Sequence, residues 1–339
     1  MKKLIKRTIY IIYYIKQLDR KKFSQFLSYT VSETGRSKFS ILLDVVRSVY
    51  AYNISLLEYF QFRFYNKDKE ERRKWAGTGY MYEYQLVMNP KNKRSILDDK
   101  RLFNQMYKDF IKHKTASIQE LKKDAALIDE ILQNPSGKIV LKVHDGKCGK
   151  QVLVKDTQDL MAADLIDFME VKGYDLVEEF IKQHPAIQQM SPSAVNTVRI
   201  FTQLTPENNV DILACRLRIS INLPVDNMAA GNIAAPIDTE SGVISGPGVY
   251  GDIDKANEEF HPVTGVKIPG FQVPFWKETI DFVTAASKLH PQNRSIGWDV
   301  AMTPGGPDLI EGNHDWCKLV YQLPVNSGLK HKLEKYMPS

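Results

Sequence analysis

GWDVAM at residues 297–302 and DLIEGN at residues 308–313 are two apolar runs with acidic residues set into them. Each has the length and composition of a short strand, and the Pro-Gly-Gly-Pro sequence at residues 304–307 predicts a tight turn between them. A hairpin of this kind brings the side chains of its two strands together. The two segments therefore predict an acidic site on a β-hairpin.

Three side chains of this hairpin are predicted metal ligands. Glu311 and Asn313 are two residues apart on one strand, so both point to the same face of the sheet, and Asp299 lies on the partner strand. Two carboxylates and one carboxamide oxygen form a hard, all-oxygen ligand set. Mg²⁺ prefers such a set when phosphates and water complete its coordination, whereas Ca²⁺ usually binds a denser acidic loop.

A second candidate site lies where a basic loop follows a short strand. The run IVLKV at residues 139–143 includes Lys142, and the loop DGKCGK at residues 145–150 has two glycines and two lysines. Glycines let backbone N–H groups approach anionic oxygens and lysines supply the opposite charge, so the loop suits a polyphosphate. The spacing is not that of a P-loop or a dinucleotide motif, and by itself it also fits an exposed hairpin.

Adjacent carboxylates interrupt the apolar strand LVEEFI at residues 176–181. Glu178 and Glu179 point to opposite faces of a strand, so at least one of them faces inward and requires a hydrogen-bond donor. That donor is either an adenine amino group or a core Arg or Lys.

Arginines on two long strands form a third candidate site. If Pro206–Asn209 is a four-residue loop, Arg199 lies directly opposite Arg216, and Arg218 lies opposite Thr197. Like charges in opposed positions destabilise a sheet unless an anion such as phosphate lies between them. The alternative is that each arginine has its own carboxylate partner or faces solvent.

The order of these segments, over about residues 96–320, resembles the ATP-grasp superfamily. Finer features resemble its sugar-transfer-associated branch: QHP at 183–185, the S-x-x-N-T-x-R pattern at 193–199, VDN at 225–227 and H-P-x-T-G at 261–265. The resemblance implies an α/β (α+β) chain with the ATP-grasp fold, in which two α+β lobes clasp ATP. The implied division is a helical N-terminal region at 1–95, the first lobe at 96–185 and the second lobe at 186–339.

The resemblance also implies roles for individual residues. Those that would bind ATP are Lys100, Lys142, Gly146, Lys147, Gly149, Glu178, Glu179, Phe180, Ile181 and His184. Of these, Lys100 and Lys142 would hold phosphates, and the loop that contains Gly146, Lys147 and Gly149 would cover them. Glu178 would accept from adenine N6, the backbone of residues 179–181 would pair with the adenine edge, and His184 would reach the ribose.

Metal and catalytic residues follow from the same resemblance. One or two Mg²⁺ ions, or Mn²⁺, would be held by Asp299, Glu311 and Asn313, and the catalytic residues would be Lys142, Arg199 and Arg216. Many relatives have an arginine two residues before the metal aspartate, where this chain has Gly297, so Arg199 or Arg216 is expected to take its place.

The expected function is an ATP-dependent ligase that joins a carboxylate to an amine through an acyl phosphate. A free or lipid-linked sugar acid and an amine such as an amino acid are the expected substrates, in surface polysaccharide or glycoconjugate synthesis. Two alternatives are a kinase that phosphorylates a sugar or alcohol, and a non-catalytic module that docks on lipid or glycan.

Charge is distributed unevenly along the 339 residues. The chain has 46 Lys and Arg against 40 Asp and Glu, and the surplus lies in residues 1–101, which hold 22 basic and 10 acidic residues. The first of these residues, 1–23, form a basic amphipathic pattern that either packs on its own domain or contacts an anionic membrane. Three scattered cysteines and the lack of a cleavage site predict a cytoplasmic protein, peripheral at the inner membrane face if that contact occurs. No nucleic-acid partner is expected, because the basic surplus lies in a helical region without a recognisable nucleic-acid-binding motif.

Overall fold

Helices form the first third of the chain, as the scarcity of proline and glycine there predicts. The computed structural model describes residues 2–144 and 152–338, with side chains from residue 7 onward. The first six helices are α1 (Lys2–Lys16), α2 (Arg20–Thr34), α3 (Lys38–Tyr52), α4 (Leu56–Gln61), α5 (Lys69–Arg73) and α6 (Thr78–Met88). Asp19 and Ser37 begin α2 and α3 by accepting hydrogen bonds from first-turn amides, and Gly35 ends α2 at a left-handed φ of 67°.

A small antiparallel sheet forms the first lobe. Its elements are α7 (Ser95–Asp98), α8 (Lys100–Met106), β1 (Thr115–Ser117), α9 (Ile118–Lys123), α10 (Ala126–Leu132), β2 (Lys138–Lys142), β3 (Val152–Asp156), α11 (Leu165–Lys172) and β4 (Leu176–Glu179). The strand order is β1-β4-β2-β3. Ile139, Leu141 and Val177 project from the sheet into one core with Leu165 and Met169 of α11.

A larger sheet forms the second lobe. Its elements are α12 (Pro185–Met190), β5 (Thr197–Leu204), β6 (Val210–Ile219), β7 (Ile233–Ile237), β8 (Val249–Tyr250), α13 (Trp276–Leu289), β9 (Ser295–Thr303), β10 (Gly306–Asn313), α14 (Lys318–Gln322) and α15 (His331–Glu334). The strand order is β10-β9-β5-β6-β7-β8, with antiparallel pairing throughout the described ladders. The predicted hairpin of β9 and β10 is present.

Both faces of the larger sheet are covered. On one face, Val198, Ile200 and Trp298 pack with α13 and with the apolar side chains of residues 96–111. That segment therefore contributes to the core of the second lobe, although the sequence division assigned it to the first. On the other face, Phe201 packs with Trp316 and with the aromatic residues of the N-terminal helices. The N-terminal region thus shares one hydrophobic core with the second lobe.

Candidate active site

Four charged residues form a row across the larger sheet, one on each of four neighbouring strands. Arg216 on β6 lies opposite Arg199 on β5, Arg199 lies opposite Asp299 on β9, and Asp299 lies opposite Glu311 on β10. Directly opposed residues of an antiparallel sheet point to the same face. We call Arg216, Arg199, Asp299 and Glu311 the charged row.

Two β-bulges set the register of the charged row. The pairing of β9 with β10 shifts by one residue between Leu309 and Glu311, which moves Glu311 opposite Asp299. Without the shift, Ile310 would occupy that position and Glu311 would point to the other face. A second shift, between Phe201 and Thr202, aligns the two arginines, because the loop before β6 has five residues instead of the predicted four.

Asp299 is held by two guanidinium groups. Arg199 donates to its carboxylate through Nε and through a second nitrogen at 2.7 Å, and Arg218 donates to it at 2.7 Å. Burial raises the pKa of Asp299, but the charges of Arg199 and Arg218 outweigh this effect and hold the pKa well below its usual range. The aspartate is therefore a carboxylate anion in a buried environment.

Glu311 and Asn313 complete the predicted metal ligands on the same face. Asn313 donates to the Glu311 carboxylate at 3.0 Å. Burial, followed by the nearby charge of Asp299, raises the pKa of Glu311. The structure thus brings the three oxygen-bearing side chains together at one edge of the charged row.

With its three carboxylates ionised, this cluster has a surplus of negative charge. Arg218, between Asp299 and Asp226, donates to Asp226 at 2.5 Å. With Glu311 included, the contacting group has three carboxylates and the two guanidinium groups of Arg199 and Arg218. A divalent cation with hard oxygen ligands would offset the excess, so these residues fit Mg²⁺. In the part of the chain that is described, no three His, Cys, Asp or Glu side chains form such a site by themselves. Asn313 stays the predicted third ligand.

Arg216 points away from the carboxylates, in contrast to its predicted catalytic role. Its guanidinium donates to the backbone carbonyls of Val320 at 3.3 Å and Tyr321 at 2.6 Å, on α14. Burial lowers the pKa of Arg216 to about 10. Arg218, two residues along the same strand face, contacts the metal-site aspartate instead. Sequence reasoning placed Arg218 on this strand but did not assign it to the site.

A chain of charged side chains links the two lobes. Lys142 on β2 donates to Glu178 on β4, the residue predicted to read adenine N6. His113 lies 3.7 Å from the same carboxylate and, through Nδ1, within 2.9 Å of Asp308 on β10. Burial raises the pKa of Glu178, but Lys142 and His113 outweigh it and lower the pKa to about 2. His113 and Asp308 were missed from the sequence, because neither belongs to a recognisable motif.

The backbone after β4 is only partly available to a nucleotide. The amides of Glu179 and Phe180 donate to the carbonyls of Lys114 and Lys138, at 2.9 and 3.0 Å. The Ile181 amide forms no backbone hydrogen bond with the described residues. The pairing of this backbone with an adenine edge stays a prediction. His184 uses Nδ1 to accept from the Ala186 amide at 3.2 Å, which caps α12. The expected contact of His184 with ribose remains a prediction.

Lys100 lies at the junction of the two lobes. Its amide donates to the carbonyl of His144, two residues after β2, at 3.1 Å. Just before Lys100 in the sequence, Asp98 accepts a hydrogen bond at 2.9 Å from His314, which directly follows Asn313. These two contacts place Lys100 between the strand that leads into the glycine loop and the metal ligands. The loop residues Gly146, Lys147 and Gly149 themselves lie outside the described residues.

Comparison with known families assigns the chain. The sequence profile of a family described as sugar-transfer-associated ATP-grasp matches residues 80–337. The chain belongs to the sugar-transfer-associated ATP-grasp family. The predicted superfamily and fold class are confirmed, and with them the expectation of an ATP-binding protein.

Solved ATP-grasp structures are similar to this family member at low identity. The ATP-grasp ligase PsnB with a minimal precursor has 12% identity and a TM-score of 0.42, over 76% of this chain and 68% of that one. The ADP complex of N5-carboxyaminoimidazole ribonucleotide synthetase has 10% identity and a TM-score of 0.38, over 65% of this chain and 45% of that one. D-alanyl-alanine synthetase A from Vibrio cholerae has 13% identity and a TM-score of 0.38, over 70% of this chain and 61% of that one. A comparison with curated protein sequences finds no match.

The motifs that indicated the sugar-transfer-associated ATP-grasp family are scaffold contacts in this structure. Asn196 receives the Ser220 amide at 2.7 Å and donates to Gln183 at 3.0 Å. His261 lies 2.8 Å from the Ser220 carbonyl, and Thr264 donates to Met190 at 2.8 Å. These bonds tie the segment around α12 to the end of β6. These hydrogen bonds are structural. Three other motif residues belong to the charged cluster: Arg199 donates to Asp299, and Asp226 and Asn227 of the VDN motif accept from Arg218.

In this ATP-grasp chain, a tryptophan fills the space beside Gly297. A Cβ atom at Gly297 would lie 2.6 Å from Cβ of Trp316 and 3.3 Å from Cδ of Arg199. The arginine that many relatives have at this position is therefore excluded by packing. Arg199 approaches Asp299 from the neighbouring strand and occupies the same region.

Proposed function

We propose that this protein is a carboxylate–amine ligase that uses ATP to form an acyl phosphate. The observation that supports the proposal is the group formed by Asp299, Glu311 and two arginines: Glu311 lies opposite Asp299, and Asp299 accepts hydrogen bonds from the guanidinium groups of Arg199 and Arg218. Asp299, Glu311 and Asn313 would hold Mg²⁺, and the bound ion would supply charge neutralisation for the phosphate oxygens of ATP. Arg199 and Arg218 are buried and preorganised, so they stabilise negative charge without rearrangement.

The reaction consists of two displacements. A substrate carboxylate oxygen attacks the γ-phosphorus of ATP, the bond to the bridging oxygen breaks, and ADP leaves. An amine then attacks the acyl carbon, the bond from that carbon to the phosphate oxygen breaks, and phosphate leaves as the nitrogen loses a proton. Lys100 and Lys142 orient the nucleotide phosphates, and Ile181 orients the base. No covalent enzyme intermediate is required, so positioning and electrostatics provide the catalysis.

The substrates we propose are a sugar acid, free or lipid-linked, and an amine such as an amino acid. The support for a glycan setting is the family description, which associates these proteins with sugar transfer. The product would be an amide on a surface polysaccharide or another glycoconjugate.

An ADP-release screen of sugar acids crossed with amino acids tests the reaction, with products identified by mass spectrometry. A ligase releases ADP only with both substrates and yields their amide, and hydroxylamine in place of the amine traps the acyl phosphate as a hydroxamate. Asp299→Asn should abolish ADP release, while Asp281→Asn, an exposed carboxylate change on α13, should not. Formation of a phosphorylated product without any amine would establish a kinase instead. Absence of ADP release by either route would refute the proposal that the protein is such an enzyme.

A further inference from the structure

Helix α1 has apolar side chains on two sides, and only one side is buried. Tyr14 is buried, and Tyr10 and Ile11 pack against the same core. The outward apolar side chains are Ile9, Ile12, Tyr13 and Ile15, at 59%, 54%, 56% and 53% exposure. Among the isoleucines of α1 whose side chains are described, Ile11 packs on the domain, whereas Ile9, Ile12 and Ile15 are exposed.

Helix α3 repeats this arrangement. Ile41, Val45 and Val49 form its buried face. Its outward apolar side chains are Phe39, Leu42, Leu43 and Val46, with 77% exposure at Phe39. Their spacing of three, four and seven residues places them in one stripe along the helix.

The two stripes lie on neighbouring helices. Arg7 of α1 donates to the carbonyls of Tyr50 and Ala51, at the end of α3, the second at 3.3 Å. Single exposed apolar residues are ordinary on a protein surface, whereas clusters of this size mark a binding surface. We call the eight residues Ile9, Ile12, Tyr13, Ile15, Phe39, Leu42, Leu43 and Val46 the apolar helix surface.

Basic residues border the apolar helix surface. Residues 1–22 contain eight Lys and Arg and one Asp. The exposed cations closest in sequence to the residues of the two stripes are Lys16, Arg20, Lys21, Lys38 and Arg47. An apolar face flanked by cations matches the boundary between acyl chains and anionic headgroups. No helix of the described chain is long and apolar enough to cross a membrane, so the match is to a surface contact.

We propose that the apolar helix surface docks on an anionic lipid bilayer. The apolar side chains enter the headgroup region, and the bordering lysines and arginines contact lipid phosphates. A second copy of the chain fits this surface less well, because it would bring the same positive charge to the contact. The proposal concerns residues outside the charged row and does not depend on the ligase reaction.

Vesicle sedimentation of the full-length protein tests the proposal. Vesicles of phosphatidylglycerol and phosphatidylcholine are compared with vesicles of phosphatidylcholine alone, at low and at high salt. The protein should sediment with the anionic vesicles at low salt and be released as salt rises, because screening weakens attraction between exposed charges. Absence of sedimentation with anionic vesicles at low salt would overturn the proposal.

Substitutions at exposed positions distinguish docking from general stickiness. Ile12→Ser with Phe39→Ser should weaken vesicle binding by roughly tenfold or more, since both apolar side chains lose their lipid contact. Lys16→Glu with Lys21→Glu should also weaken it by roughly tenfold or more, because each cation near such a surface adds to the attraction. The matched controls lie in other parts of the fold: Val171→Ser, at 82% exposure, and Lys288→Glu on α13.

Each variant is also checked by its unfolding midpoint and its ATP affinity, which should remain those of the wild type. Equal loss of binding in the controls, or no loss in the test variants, would refute a specific docking surface. The surface would be assigned to self-association under two observations together: the wild type does not bind vesicles, and it forms a concentration-dependent dimer that the Ile12→Ser and Phe39→Ser changes abolish. That result would overturn the proposal.

Discussion

At the scale of single residues, three arginines on two neighbouring strands have different tasks. Arg199 and Arg218 both donate to Asp299, whereas Arg216 donates to backbone carbonyls of α14. A guanidinium that grips a carboxylate through two bonds has a geometry that lysine cannot reproduce. Arg199 therefore determines the position of Asp299, and Arg216 determines the position of α14.

This difference predicts the effects of two substitutions. Arg199→Lys keeps the charge but loses the paired contact, so kcat should fall by roughly 100-fold while the protein remains folded. Arg216→Met should lower the thermal unfolding midpoint and change kcat much less, because it removes bonds to α14. Steady-state kinetics and thermal unfolding of both variants decide the matter. A larger kcat loss for Arg216→Met than for Arg199→Lys would restore the role first expected for Arg216.

At the scale of one element, the packing of β9 predicts the cost of a single methyl group. In Gly297→Ala the new Cβ meets Trp316 at 2.6 Å, and the neighbour on that side is a buried ring that cannot move freely. We expect a loss of about 1–3 kcal/mol in the free energy of unfolding, measured in urea. Gly305→Ala, in the turn of the same hairpin, is the control, because its nearest contact is 3.7 Å away. Equal stability of the two variants would contradict the packing argument.

At the scale of the whole molecule, His113 joins the two lobes. It comes just before β1 of the first lobe, and its ring and amide both bind Asp308 on β10 of the second. Burial alone would lower the pKa of His113, but the hydrogen bonds to Asp308 and Glu178 outweigh burial and raise it to about 9 from 6.5. The imidazolium is thus a charged link between Glu178 of the first lobe and Asp308 on β10 of the second lobe.

The raised pKa predicts how stability depends on pH. Below the ordinary value of 6.5, His113 is protonated in both the folded and unfolded states, so its stabilisation is complete. Between 6.5 and about 9 only the folded state keeps the proton, and the stabilisation is lost as pH rises through this window. The stability difference between the wild type and His113→Gln, from urea unfolding, should therefore shrink from pH 6 to about pH 10. His331→Gln, at an exposed position on α15, should show no such trend.

Much of this protein follows from its sequence, because the informative features are local. The apolar periods and turn residues predicted the helical first third and the β9–β10 hairpin, and the order of Lys142, Glu178, Arg199, Asp299 and Glu311 indicated the ATP-grasp fold. Each of these inferences depends on spacing along one segment or on the order of segments. None of these inferences requires knowledge of how distant segments pack.

The tertiary structure decided which residues share the site. A one-residue bulge at β10 places Glu311 opposite Asp299, and no local pattern announces a bulge, because it depends on how the paired strands twist and pack. The direction of Arg216 is set by carbonyls more than a hundred residues away, and His113 meets Asp308 only because the lobes close on each other. Side-chain direction and long-range pairing are properties of the packed molecule, so they became visible only in the fold.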